Sequence, residues 1–315
     1  MGHDSYVSFA LDKITPDLEL PASVFLFING KFLEYKKKGD VISSIKFNYF
    51  ILKKINYIFV ESSDHNLFME WIAKSDKKLF SIVSFGDDCK KIFQLKSHIR
   101  KFAYDMFTSE YEDNKVLGIV QSTRSFIQET SSKVVPEVAW RKLSVASNNI
   151  VDHSLNVALL SVYLASHLGF AQHKILENIF LGALFHDYGK TLFDQKLYET
   201  ENKKVLDGLI KKHPSMAIEV LKDGRSFNGE ILRIIEEHHE WYDGKGYPNK
   251  KRKSQIYDLT KIVSIANVFD NLIQNTNGDA TEKTVKVISM LEDKEGTEFE
   301  PEKLEKCIKA IKLTL

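Results

Sequence analysis

The chain has 315 residues, 43% of them hydrophobic and 28% charged, the balance of an ordinary soluble globular protein. Lys plus Arg number 44 against 43 Asp plus Glu, a formal net charge of +1, so bulk electrostatics give no case for DNA or an anionic membrane as partner. The most apolar stretches, VALLSVYLASHLGF and IFLGALFH, fall short of the roughly 18 residues of a bilayer span and read as core helices.

The opening MGHDSYVSFALDK has no charged-then-apolar leader pattern. Cys89 and Cys307 alone make no disulfide framework. A cytoplasmic protein is expected. From Pro21 to about Lys78 the rhythm is strand-like. SVFLFINGKFLEYKKKGDV holds two apolar runs around Asn29-Gly30, a hairpin signal; INYIFVES reads as a further strand and HNLFMEWIAK as a short helix. His65 stands alone there, so residues 1–100 are expected to form a small mixed α/β module with a regulatory role.

From about Lys90 the apolar spacing becomes helical. KIFQLKSHIRKFAYDMFTSEY and NKVLGIVQSTRSFIQETSSKV precede Pro136, and 101–136 is expected as a helical linker. Over 137–315 the pattern predicts helices at 137–148, 150–168, 172–187, 203–222, 227–240, 257–275, 281–292 and 301–313. Asp152 and Pro301 mark two of the starts. The fold class is mainly α, an all-helical domain behind the smaller module.

Ten histidines occur. His3, His65, His98, His167 and His173 have no chemical companions. The other five lie in or beside helices of the second half: His153, His186 before Asp187, His213 before Pro214, and the pair His238-His239. A lone histidine is usually a surface or satisfied polar residue. Five from four helices, followed by the turn WYDGKGYP, suit divalent metals instead. Imidazole binds Zn, Fe, Mn and Ni, and a carboxylate can bridge two ions. Two such ions lower the pKa of a bridging water from about 15.7 toward 7.

The stretches DHSLNVALLSVYLASHLG, GALFHDYGK, KKHPSMAIEVL, EEHHEWYDGKGYP, IVSIANVFDNL and EGTEFEPEKLEKCI run in order over about 140–313. With them the sequence resembles the HD-GYP family of HD-domain metal-dependent phosphohydrolases. The resemblance implies a helical domain that binds two or three metals, iron or manganese, and hydrolyses cyclic di-GMP. It puts the first half in the regulatory position, open to a protein partner. It implies His153, His186, Asp187, His213, His238 and His239 as ligands, with Asp187 bridging and acting in catalysis. Lys190 matches the lysine that touches a substrate phosphate; Gly244, Gly246 and Tyr247 would shape or contact the substrate pocket.

Four positions depart from the family pattern. Asn149 stands where some members carry a glutamate for a third metal, so two ions are expected. Asn267 occupies the place of the last aspartate ligand, with Asp270, one turn on, as the alternative. Thr276 and Asp279 replace an arginine and a lysine that hold the nucleotide. QKLYETENKK replaces KPG.LT after the HD motif. The basic run Lys250–Lys253 could restore phosphate contacts or be a solvated loop. The functional expectation is a cyclic di-GMP phosphodiesterase with a binuclear centre; the alternative is a degenerate member serving as nucleotide sensor or protein-interaction module.

Overall fold

The computed structural model describes residues 5–11, 14, 18–28, 30–43, 46, 47, 49, 50, 53, 55, 57–80, 87–109, 111–132, 149–193 and 203–314. Asn29, the helix expected over 137–148 and most of QKLYETENKK lie outside them. The chain divides into two compact units, Met1–Gly86 and Asp87–Leu315.

In the first unit, β1 (Tyr6–Ala10), β2 (Val24–Ile28), β3 (Lys31–Lys36) and β4 (Tyr57–Glu61) form one sheet in the order β1-β4-β2-β3. All three pairings are antiparallel. Phe27 opposes Phe32 and Ile28 opposes Lys31, and Gly30 in the connection has φ of +77°, a value that suits glycine. Alternation buries Phe9, Val24, Ile58 and Val60. Helix α1 (His65–Phe80) sets Phe68 against Phe9 with ring centroids 4.7 Å apart. It is longer than the sequence pattern predicts.

The second unit is helical: α2 (Asp87–Thr108), α3 (Asp113–Ser132), α4 (Ile150–His167), α5 (His173–Phe185), α6 (Lys203–Ile210), α7 (His213–Leu221), α8 (Gly229–Glu237), α9 (Asp258–Asn275), α10 (Ala280–Glu292) and α11 (Pro301–Lys312). Helices α4 and α5 are apolar on nearly every side and are its core, as helices without a polar face must be; from Leu176 to Phe185 every residue of α5 is buried. Around them pack α3, α8 and α9. Residues 101–132, within the stretch expected as a helical linker, supply α3 and part of α2 to this unit, with Phe126 against Phe180 of α5. Among the described residues no helix is long and apolar enough to cross a membrane.

Two local signals set the ends that matter. Asn149 caps α4, its side chain accepting from Asp152 N at 2.8 Å. The predicted helix 203–222 breaks at Lys211-Lys212, because Pro214 has no N–H to continue the ladder from α6 and takes a first-turn place in α7.

Helix α8 can lie close on α5 only because residue 182 is glycine: a Cβ there would stand 2.7 Å from Ile234 Cβ. Gly182→Ala should therefore destabilise the protein by about 1–3 kcal/mol through overpacking, against the ~1 kcal/mol that alanine gains over glycine in a helix. Urea unfolding checks this; a more stable variant would contradict the close approach.

Candidate metal centre

Helix ends leave carbonyls without backbone partners, and three histidines sit at such ends. His186 follows α5, and its Nδ1 lies 2.6 Å from Ala183 O. His238 follows α8, with Nδ1 2.7 Å from Ile235 O. His213 stands at the α6–α7 break, with Nδ1 2.6 Å from Ile210 O. That last carbonyl would bond residue 214 in a continuous helix, but residue 214 is proline. A carbonyl only accepts, so each Nδ1 carries the proton and each Nε2 presents a lone pair.

Those nitrogens converge on Asp187. Its Oδ1 is 3.2 Å from His213 Nε2 and 3.8 Å from His238 Nε2. Its Oδ2 is 3.4 Å from His186 Nε2, 3.7 Å from His153 Nε2 and 2.7 Å from Lys190 Nζ. The potential ligand atoms fall into two groups, Asp187 with His213, His238 and His239, and Asp187 with His153 and His186. Asp187 belongs to both. Gly189 makes the junction possible: a Cβ there would stand 1.9 Å from His213 O.

The donor set fits divalent cations. His186 Nε2 and Asp187 Oδ1 are buried without a hydrogen-bond partner, and such atoms call for an explanation. His213 Nε2 and His238 Nε2 face each other at 3.1 Å, two lone pairs that need a cation or a proton between them. Burial lowers the pKa of His186. Burial and neighbouring imidazoles push His238 and His239 well below the ordinary range, which keeps these rings in the neutral, metal-binding form. Burial works to raise Asp187, but the Lys190 ammonium 2.7 Å from Oδ2 works against it, and the carboxyl is held well below its usual range.

His153, on the second turn-face of α4, is held from both sides. Nδ1 meets Asp270 Oδ2 at 2.7 Å, and Nε2 meets Asn267 Oδ1 at 3.0 Å. Of the two residues left open by the sequence, Asn267 thus lies on the Nε2 side of the ring and Asp270 on the opposite side. Asp270 Oδ1 also accepts from Asn156 at 3.1 Å. Asn149 is committed to capping α4, and its Nδ2 donates to Asp152 Oδ2 at 2.5 Å; Asp152 is itself clasped by Arg100.

The turn after His238-His239 is latched by two carboxylates that sequence reading did not single out. Buried Glu240 accepts from Asn249 N at 2.6 Å and Lys251 N at 2.9 Å. Buried Glu237 accepts from Tyr257 N at 2.6 Å and pairs with Lys251 Nζ at 2.7 Å. Their signal is the flanking of the pair as EHHE. A Cβ on Gly246 would fall 2.3 Å from Trp241 N, and Gly244 has φ of +85°, so both positions need glycine. Tyr247 stacks on His239 with ring centroids 4.5 Å apart. Lys211, also overlooked in the sequence, brings Nζ to 5.9 Å from the Tyr247 ring. Within the basic run, Lys251 is spent on Glu237. Thr276 hydroxyl donates to Leu272 O at 2.8 Å, and Asp279 caps α10.

Because His186, His238 and His239 titrate lower in the folded than in the unfolded chain, the unfolded chain binds more protons as pH falls through about 6.5. Stability is then complete above that pH and declines below it; the depressed Asp187 adds its own loss only below about pH 4. Metal-stripped protein should melt at progressively lower temperature from pH 7.5 to 5.5 in scanning calorimetry. A melting point constant over that range would contradict the burial of neutral imidazoles.

Residues 150–272 match the HD domain family. The chain is 26% identical over 161 residues to the cyclic di-GMP phosphodiesterase PA4108 of Pseudomonas aeruginosa, covering 50% of this chain and 38% of that protein. It is 27% identical over 184 residues to the 3'3'-cGAMP-specific phosphodiesterase 2 of Vibrio cholerae, covering 57% and 34%. The chain thus spans less than two fifths of the length of either relative. Among solved structures, Bd1817, an HDG"Y"P protein from Bdellovibrio bacteriovorus, superposes with a TM-score of 0.64 at 21% identity, over 98% of this chain and 99% of that one; this is a likeness of fold. The HD match runs from before His153 to beyond Asp270 and contains both the HD and the GYP stretches. Residues 150–272 are thus similar to the HD domain family.

Proposed function

We propose that the protein is a metal-dependent phosphodiesterase that hydrolyses a cyclic dinucleotide, cyclic di-GMP, at a centre of two divalent ions, iron or manganese. The observation that carries this reading is the sharing of Asp187 between two groups of potential ligands. His213, His238 and His239 would hold one ion, His153, His186 and Asn267 the other, with Asp187 bridging. Such a pair supplies an acidified water and charge neutralisation on the phosphoryl oxygens.

The chain's own groups do the rest. The capped rings need no reorganisation, since each Nδ1–H is already spent on its helix. Lys190, about a third exposed beside Asp187, is positioned to meet a phosphate oxygen and to stabilise charge as it develops. Tyr247, flat against His239, offers a face to a base or ribose; Gly244 and Gly246 keep that lip close to the rings. Lys211 is a second cation at the same edge. The N-terminal unit is the regulatory module in this reading.

A second reading, a nucleotide sensor with little turnover, is favoured by the structural use of Thr276 and Asp279 as helix caps, which removes two nucleotide contacts expected of the group. Iron- or manganese-loaded protein, assayed anaerobically with cyclic di-GMP and in competition with 3'3'-cGAMP, separates the two. The enzyme reading expects a linear dinucleotide or GMP as product. It also expects Lys190→Ala to lower kcat/KM by about 10²–10³-fold with metal content unchanged. Binding without product would favour the sensor. Neither binding nor product would contradict both.

A further inference from the structure

We propose that Asp270 is a positioning residue that delivers to the metal centre, through His153, the negative charge that Asn267 does not carry. The inference rests on the reading of the site as a metal centre. Asp270 is an acceptor only, and its Oδ2 stands 2.7 Å from His153 Nδ1. It therefore fixes the ring proton on Nδ1 and turns the Nε2 lone pair inward. Nε2 then faces Asn267 Oδ1 at 3.0 Å and Asp187 Oδ2 at 3.7 Å. With Nδ1 protonated, the first of these contacts joins two lone pairs, as His213 and His238 do on the other side of Asp187.

The surroundings fix both groups. Asn156 Nδ2 and Gln274 Nε2 donate to Asp270 Oδ1 at 3.1 and 3.4 Å, so the carboxylate is held against His153 and away from the ions. Asn271 Nδ2 donates to Asn267 Oδ1 at 2.9 Å, which turns the amide oxygen toward the ring. Asn267 and Asp270 are three residues apart on α9 and share a face, so one stands on each side of the imidazole. An imidazole backed by a carboxylate is a stronger donor than one backed by a carbonyl. His186, His213 and His238 have carbonyls at Nδ1; His153 has a carboxylate. The charge absent at residue 267 thus returns one shell out, at residue 270.

Manganese titrated into metal-stripped full-length protein, followed by calorimetry, tests the assignment. Asp270→Asn should weaken the ion on the His153 side by about 10–100-fold and leave the ion held by His213, His238 and His239 unchanged. Adding Asn267→Asp to that variant should restore the affinity, and Asn267→Asp alone should tighten the same ion. Unchanged affinities in Asp270→Asn, or no recovery in the double variant, would overturn the inference while the metal centre stands. No manganese bound by the wild-type chain would overturn both. If Asp270→Asn does not fold, an unaltered affinity in Asn267→Asp would still overturn it.

Discussion

The site depends on one constraint, that a carbonyl at a helix end must find a donor. In α5, α8 and at the α6–α7 break, that donor is the Nδ1–H of a histidine ring three residues along. An unmet buried carbonyl costs about 1–3 kcal/mol, so finishing the helix and choosing the tautomer are one event. The result is three Nε2 atoms stripped of protons and fixed in direction by backbone that the core already holds rigid. Pro214 contributes by an absence, leaving Ile210 O for His213.

Convergence of bare nitrogens on a buried carboxylate follows from how the core is packed. Helix α5 is followed immediately by His186-Asp187, and Gly189 lets the chain run directly under the start of α7. Gly182 admits α8 on the other side, which delivers His238 and His239. Glu237 and Glu240 then anchor the glycine-rich turn by accepting backbone N–H groups from it and from the segment after it, so the turn carrying Tyr247 is tied to the same helix end as His238 and His239. The Lys190 ammonium keeps Asp187 ionised despite burial. Together these hold charge in a fixed arrangement around Asp187, the kind of preorganisation that electrostatic catalysis requires.

Much of this was legible in the sequence. The helical period located α4, α5 and α8 to α11 within a few residues, and the order HD, HP, HH, GYP brought together the residues that the fold assembles around Asp187. The HP dipeptide reads as a ligand signal, but its break of the 203–222 helix is not legible, because an apolar period of 3.6 continues straight across Lys211-Lys212. Segment 101–136 looked like a linker because its amphipathic pattern does not say which neighbour it will cover. Glu237 and Glu240 resemble solvated charges until the turn folds back and offers them N–H groups. For Asn267 and Asp270, spacing put both within reach of the site; the position of the His153 ring between them divides their roles.

The most direct test of the central claim is metal content per chain in Asp187→Ala beside the wild type, by elemental analysis after anaerobic loading with iron or manganese. Sharing of Asp187 between the two ligand groups predicts two ions in the wild type and loss of both from the variant. A variant that keeps either ion at wild-type occupancy would contradict the account.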